Sequence, residues 1–280
     1  MRPQYLKTRI FLDSGDPQET REAIKFLGFL DGQTTNPSLI AKNPETAGKQ
    51  FDKDEILEFY KKVVQEVSSL IPDGSVSIEV YADSNTKAQE MLEQGRKFFT
   101  WIPNAHIKFP TTHEGLKAAE AAVQEGMRVN MTLVFSQEQA AAVYAATAGA
   151  SKGQVFLSPF IGRLDDRGEN GMDLISNIIK MYKSGDGHVE VLTASVRGIG
   201  HFQEAIRLGS NIITTPFKVL QEWSENMLSI SDASYMMPNT KHIDYKNIDL
   251  NRSWQEYDIR HELTDKGMDK FSEDWNNLIK

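Results

Sequence analysis

The run His106-Ile-Lys-Phe-Pro110 sets a lysine between two apolar residues. In a strand that alternation turns Lys108 to one face and Ile107 and Phe109 to the other, so a barrel strand would point the amine inward. Burial disfavours an ammonium and so frees a neutral amine for attack on a ketone, the chemistry of Schiff-base lysines. The competing reading is an interior ion pair with Asp13 or Glu79. Each of these carboxylates could be a general acid or base or a charge partner of the lysine, and spacing does not choose between the roles. Gly162-Arg163 and the Ser-x-Arg from Ser195 to Arg197 follow later apolar runs. Two guanidiniums and a hydroxyl on neighbouring loops suit a phosphate dianion, although a lone arginine after a strand is more often in a surface salt bridge. Asn36, Asn130, Thr132 and Ser158 add neutral donors. The six histidines show no metal-ligand spacing, and His106 and His113 read equally well as structural or exposed, so no metal is expected. There is no Walker loop, and Gly198 with Gly200 is too short for a dinucleotide fingerprint, so no cofactor is expected either.

Something must bring these groups together. Eight short β-branched or apolar runs recur, each followed by a stretch with helical spacing: Arg9 to Asp13, Gly32 to Thr35, Ser75 to Val80, Ala105 to Phe109, Arg128 to Leu133, Val155 to Ser158, Glu190 to Ala194 and Asn211 to Thr215. That alternation is the mark of parallel βαβ units. Eight parallel strands with right-handed crossovers close most economically into a single (β/α)8 barrel, an α/β fold, although an open doubly wound sheet shares the local signals. In a barrel the reactive groups sit at the carboxyl ends of the strands, and the residues above all fall at or near such ends.

The connecting helices are legible. Ile56, Leu57, Tyr60, Val63, Val64 and Val67 recur at steps of three and four, with Asp54, Glu55, Glu58, Lys61 and Lys62 largely opposite. An alanine-rich helix over Glu114 to Gln124 turns Leu116, Ala119 and Val123 inward and stops at Gly126. Ser136 is expected to cap a helix from Gln137 to Ala148, with Gln139 completing a capping box. Past Trp223 the chain turns polar, and Met236, Met237 and Pro238 read as loop. The spacing of Met268, Phe271, Trp275 and Leu278 predicts a last helix with Thr264 as its N-cap. The expected organisation is a barrel over 1–223 and an extension over 224–280 that packs on it without forming a domain of its own.

Composition bounds the partners. The 280 residues are 25% charged and 40% hydrophobic with a net charge of -8, which suits one globular barrel and disfavours nucleic acid or an anionic membrane. An anionic ligand would have to meet a local positive pocket. Absence of cysteine excludes disulfides and thiolate chemistry. Residues 1–9 hold no apolar signal core and no run approaches a membrane span, so the chain is expected to be soluble, unexported and cytoplasmic. A homo-oligomer is left open.

These residues also lie in motifs that resemble the transaldolase family. DGQTTNPSLI from Asp31 resembles its best-known signature, HIKFPTTHEGLKAAE from His106 its Schiff-base strand, and VNMTLVFS from Val129 the strand that follows. FLDSGD from Phe11, VSIEV from Val76, LSPFIGRLDDRGENG from Leu157 and VLTASVRG from Val191 are further matches, and LTDKGMDKFSEDW from Leu263 looks like the last helix. The resemblance implies Lys108 as the Schiff-base nucleophile and Asp13 as the acid/base at the C4 hydroxyl. It implies that Glu79 with Thr132 holds a proton-shuttling water, and that Asn36, Thr35, Asn130, Ser158 and Phe160 contact the three-carbon unit. Arg163, Ser195 and Arg197 would grip the phosphate of a sugar-phosphate substrate. The implied reaction moves a dihydroxyacetone unit from sedoheptulose 7-phosphate to glyceraldehyde 3-phosphate. A fructose 6-phosphate aldolase of the same superfamily is the nearest alternative, but it usually has tyrosine where this chain has Phe160. A non-catalytic sugar-phosphate-binding barrel is the other alternative, and a mere binder has no need of an inward amine. Gln33, Phe109 and Tyr81 depart from the family's pattern and would reshape the sugar pocket if they faced it.

Overall fold

A computed structural model describes residues 2–231 and 233–280. The eight predicted runs form eight parallel strands: β1 (Arg9–Asp13), β2 (Gly32–Thr34), β3 (Ser75–Glu79), β4 (Ala105–Pro110), β5 (Val129–Val134), β6 (Val155–Pro159), β7 (Val189–Thr193) and β8 (Ile212–Thr215). They pair in chain order, and β8 pairs with β1, so the sheet is a closed barrel. The open-sheet alternative is thereby excluded. Closure leaves no unpaired edge and gives each strand one face toward the helices and one toward the barrel interior.

The helices follow the strands: α1 (Pro17–Leu27), α2 (Pro37–Ala41), α3 (Lys53–Leu70), α4 (Ala88–Phe99), α5 (His113–Gln124), α6 (Gln137–Ala146), α7 (Ile161–Asp166), α8 (Gly171–Tyr182), α9 (Ile199–Leu208), α10 (Phe217–Glu225) and α11 (Glu262–Asn276). α3 buries Ile56, Tyr60, Val63, Val64 and Val67, the apolar stripe of the sequence. After α5, Gly126 takes a φ of 80°, a left-handed stop that costs glycine little. The packing of α4 shows why Lys108 points inward. A Cβ on Gly95 would stand 3.0 Å from the Phe109 ring and 3.2 Å from Ile107, so those two side chains occupy the outer face.

Two local expectations are corrected. Ser136 does cap α6, accepting from the Gln139 N–H at 3.1 Å. No capping box forms, however, because Gln139 accepts from the Phe135 amide and donates to Ile259 O and Thr264 Oγ1. Thr264 lies inside α11 and His261 is the N-cap, since the Thr264 hydroxyl is drawn to Leu133 O at 2.9 Å. Between Glu225 and Trp254 the described residues form no helix and no longer strand. They cross α6 and α8 on side-chain bonds, with Gln137 donating to Lys246 O and Asn177 to Ile243 O. No helix among the described residues is long and apolar enough to cross a membrane.

Candidate active site

The inner face of the barrel is polar toward its carboxyl end. Register sets Asp13 beside Thr34, Glu79 beside Lys108, and Lys108 beside Asn130. Lys108 Nζ lies 2.7 Å from Glu79 Oε2, both side chains being 4% exposed, and donates to Thr35 O at 3.0 Å. The interior ion pair is therefore present, with Glu79 rather than Asp13 as the partner, and Lys108 also lines a cavity. Burial raises the Glu79 carboxyl above its ordinary range, against the opposing charge of Lys108. Burial likewise raises Asp13, opposed by Lys108 and by a 2.6 Å bond from the Thr34 hydroxyl. Two carboxyls raised by burial beside an amine are groups through which protons can pass.

The cavity, about 420 Å³, opens at the carboxyl ends of the strands between Asp13, Lys108, Ser158, Phe160, Arg163 and Arg197. Arg163 is largely buried, and its guanidinium carbon lies 5.5 Å from the ring centres of both Phe160 and Phe271. Among the described residues it has no carboxylate or carbonyl partner. Arg197 is more exposed and pairs with Asp166. The two arginine loops are locked together by Gly162, which donates to Ser195 O at 3.0 Å. A Cβ on Gly162 would stand 2.3 Å from that oxygen, so no larger residue fits, and Ser195 itself takes a φ of 60°.

Not every expected residue faces the cavity. Asn36 and Ser195 line it, but Asn36 Oδ1 is spent capping α2 by accepting from the Leu39 N–H at 2.9 Å. Asn130 and Thr132 are fully buried and absent from its lining. Asn130 Oδ1 accepts from the Ser158 hydroxyl at 2.6 Å and its amide donates to Ser77 Oγ. The Thr132 hydroxyl has no hydrogen-bond partner among the described residues. Thr35 is a correction: its hydroxyl turns away to Ser77 O and the Tyr60 hydroxyl, and only its carbonyl reaches Lys108. The departures from the family's pattern also lie elsewhere. Gln33 donates to Ser14 O and accepts from Thr20, Phe109 faces α4, and Tyr81 bonds to Asp83 and Asn276.

Sequence reasoning missed several groups. Tyr60, read as part of an apolar stripe, accepts from the Glu79 N–H at 3.0 Å and bonds Thr35 Oγ1 at 2.6 Å. Burial raises its pKa and keeps the phenol neutral. His201 and Asp165 stand 2.6 Å apart in the interior, and His201 Nδ1 accepts from the Arg197 N–H. Their separation in sequence left no local signal. His106, by contrast, is structural: it stacks on Phe156 at 3.9 Å, bonds Ser75 and Gly153, and burial pushes its pKa down to about 3. No three His, Asp or Glu side chains among the described residues converge as a metal site. A larger cavity, about 610 Å³, opens at the amino end around Arg9, His106 and Arg128. Its cations are engaged, Arg9 with Glu190 and Arg128 with the carbonyls of Ala105 and Pro103, which leaves the carboxyl end as the candidate site.

A family model described as Transaldolase/Fructose-6-phosphate aldolase matches residues 10–280. A probable transaldolase of Dehalococcoides mccartyi is 39% identical over 84% of this chain and 99% of its own length. One from Herpetosiphon aurantiacus is 37% identical over 96% of each chain, and one from Halalkalibacterium halodurans is 38% identical over 96% of this chain and 99% of its own. Among solved structures, 3-hexulose-6-phosphate synthase from Salmonella typhimurium superposes with a TM-score of 0.50 at 12% identity, over 80% of this chain and 99% of that one. At that identity the likeness speaks for the barrel alone.

Proposed function

The chain belongs to the transaldolase/fructose-6-phosphate aldolase family, and from that premise we propose that it transfers a dihydroxyacetone unit between sugar phosphates through a Schiff base on Lys108. The donor and acceptor of this reading are sedoheptulose 7-phosphate and glyceraldehyde 3-phosphate, giving erythrose 4-phosphate and fructose 6-phosphate. The observation that carries it is a buried amine at the floor of a cavity, 2.7 Å from a carboxyl that burial has raised. Glu79 takes the ammonium proton, and the amine attacks the ketose C2. Glu79 with Thr132 then holds the water that moves protons as the carbinolamine forms and dehydrates; the unpartnered Thr132 hydroxyl supports that role. Asp13 removes the C4 hydroxyl proton, the C3–C4 bond breaks, and its electron pair flows into the iminium. The aldose phosphate leaves, and the enamine adds to the acceptor aldehyde by the reverse steps. Asn36 and Ser158, which line the cavity, hold the three-carbon unit, with Asn130 fixing the Ser158 hydroxyl from behind, while Arg163, Ser195 and Arg197 hold phosphate.

The test is incubation with fructose 6-phosphate and borohydride, followed by digestion. The expected mass gain is on Lys108 alone, and trapping on another lysine would sink the assignment.

Phe160 decides what becomes of the enamine. Its ring borders the cavity and is 8% exposed, so it offers no proton where the enamine waits. Phe160→Tyr would bring a hydroxyl able to position water or relay a proton to the enamine carbon. Acceptor-free cleavage of fructose 6-phosphate, read as free dihydroxyacetone by a coupled reductase, should rise about tenfold, a small part of what a placed acid-base group contributes. Transfer to erythrose 4-phosphate should fall. A wild type that already releases dihydroxyacetone faster than it transfers it would make the chain an aldolase instead.

A further inference from the structure

Gly267 stands in the interior of α11, where glycine is the poorest helix former after proline. Its neighbours explain it. A Cβ on Gly267 would lie 2.5 Å from Arg163 Nη1 and 2.6 Å from Leu133 Cδ2, so the space an alanine methyl needs is filled by the guanidinium. One turn on, Phe271 lies 5.5 Å from the same guanidinium, with Phe160 at the same distance. Aromatic rings attract a cation through its flat face and consume none of its N–H donors. The helix is itself pinned, Thr264 donating to Leu133 O and accepting from Gln139. Asp274 further joins Lys270 to Ser38 on α2 across the rim of the cavity.

We propose that α11 is the phosphate-specificity element of the site, with Gly267 and Phe271 acting as positioning residues that hold the Arg163 guanidinium unpaired and edge-on to the cavity. For turnover the inference rests on the function proposed above; for the binding of a phosphate dianion it does not. Gly267→Ala favours the helix and so tests position rather than folding, and Phe271→Leu removes one ring as a second variant.

Calorimetric titration with inorganic phosphate should show about tenfold weaker binding in either variant than in wild type, the scale of one misaligned charge-assisted contact. In Gly267→Ala the KM for fructose 6-phosphate should rise by about the same factor with kcat little changed, while borohydride trapping with unphosphorylated dihydroxyacetone stays at the wild-type level. Equal phosphate affinity in wild type and Gly267→Ala, or no phosphate binding by wild type, overturns the proposal. So do equal losses with dihydroxyacetone, which would make α11 a general scaffold. Weakened phosphate binding in a protein that traps no substrate on any lysine supports the positioning role while sinking the transferase reading.

Discussion

Lys108→Met abolishes transfer and borohydride trapping together, by a factor on the order of 10⁵ or more, the scale on which loss of a nucleophile acts. The methionine keeps the aliphatic stem that packs in the strand layer and removes only the amine. Residual trapping would show that another lysine carries the chemistry. The substitution also removes the cation nearest Glu79, and breaking a buried pair typically costs about 3–5 kcal/mol. That cost should depend on pH. Burial already raises Glu79, and Lys108 is the largest influence opposing the rise, so Glu79 climbs further without it. A carboxyl raised on folding leaves stability intact below its unfolded value, about 4.3, and takes it away as pH climbs through the folded value. Melting temperatures of Lys108→Met should therefore fall from pH 5 to pH 8 more steeply than those of wild type. Adding Glu79→Gln should flatten the curve. A double variant as steep as the single one would place the pH dependence on other groups, Asp13 first.

Arg163→Ala has the second largest expected effect. Its guanidinium is largely buried, and among the described residues nothing but aromatic rings engages it, so its whole hydrogen-bonding edge remains for a ligand. A charge-assisted contact of about 1.5–3 kcal/mol predicts a KM for fructose 6-phosphate raised roughly 10- to 150-fold, with little change for unphosphorylated dihydroxyacetone. Arg197→Ala should do less. That side chain is 47% exposed and already paired with Asp166, so solvent and salt screen its charge. The ratio of the two effects should widen as salt is added. Equal losses on phosphorylated and unphosphorylated substrates would remove both arginines from the phosphate site, whatever the reaction proves to be.

Local periodicity carried most of the fold. Every strand follows from alternation or an apolar run bounded by turns, with shifts of a residue or so, as where Arg128 to Leu133 became Val129–Val134. Period two also turned Lys108 inward, because Ile107 and Phe109 had to face a helix. A strand period fixes facing, however, and not partners. It left open whether Lys108 meets Asp13 or Glu79, and barrel closure decided it by setting β3 beside β4 with Glu79 level with Lys108. The misreadings share one cause. Thr35, Thr264 and Gln139 are polar residues whose hydroxyl or amide can serve a local cap, a distant carbonyl or a ligand, and sequence neighbours weigh only the first of these.

By itself, the amino-acid sequence determined the barrel strands, the inward amine and the two arginine loops, because each is a property of one segment and its period. Tertiary structure alone decided the rest. It tied Tyr60 to the backbone of Glu79, set His201 against Asp165, and laid Gly267 and Phe271 against Arg163. These pairs join residues far apart in the chain, so only closure of the barrel and docking of the last helix make them neighbours. The pressure that selects them is the need of every buried polar or charged group to find a partner.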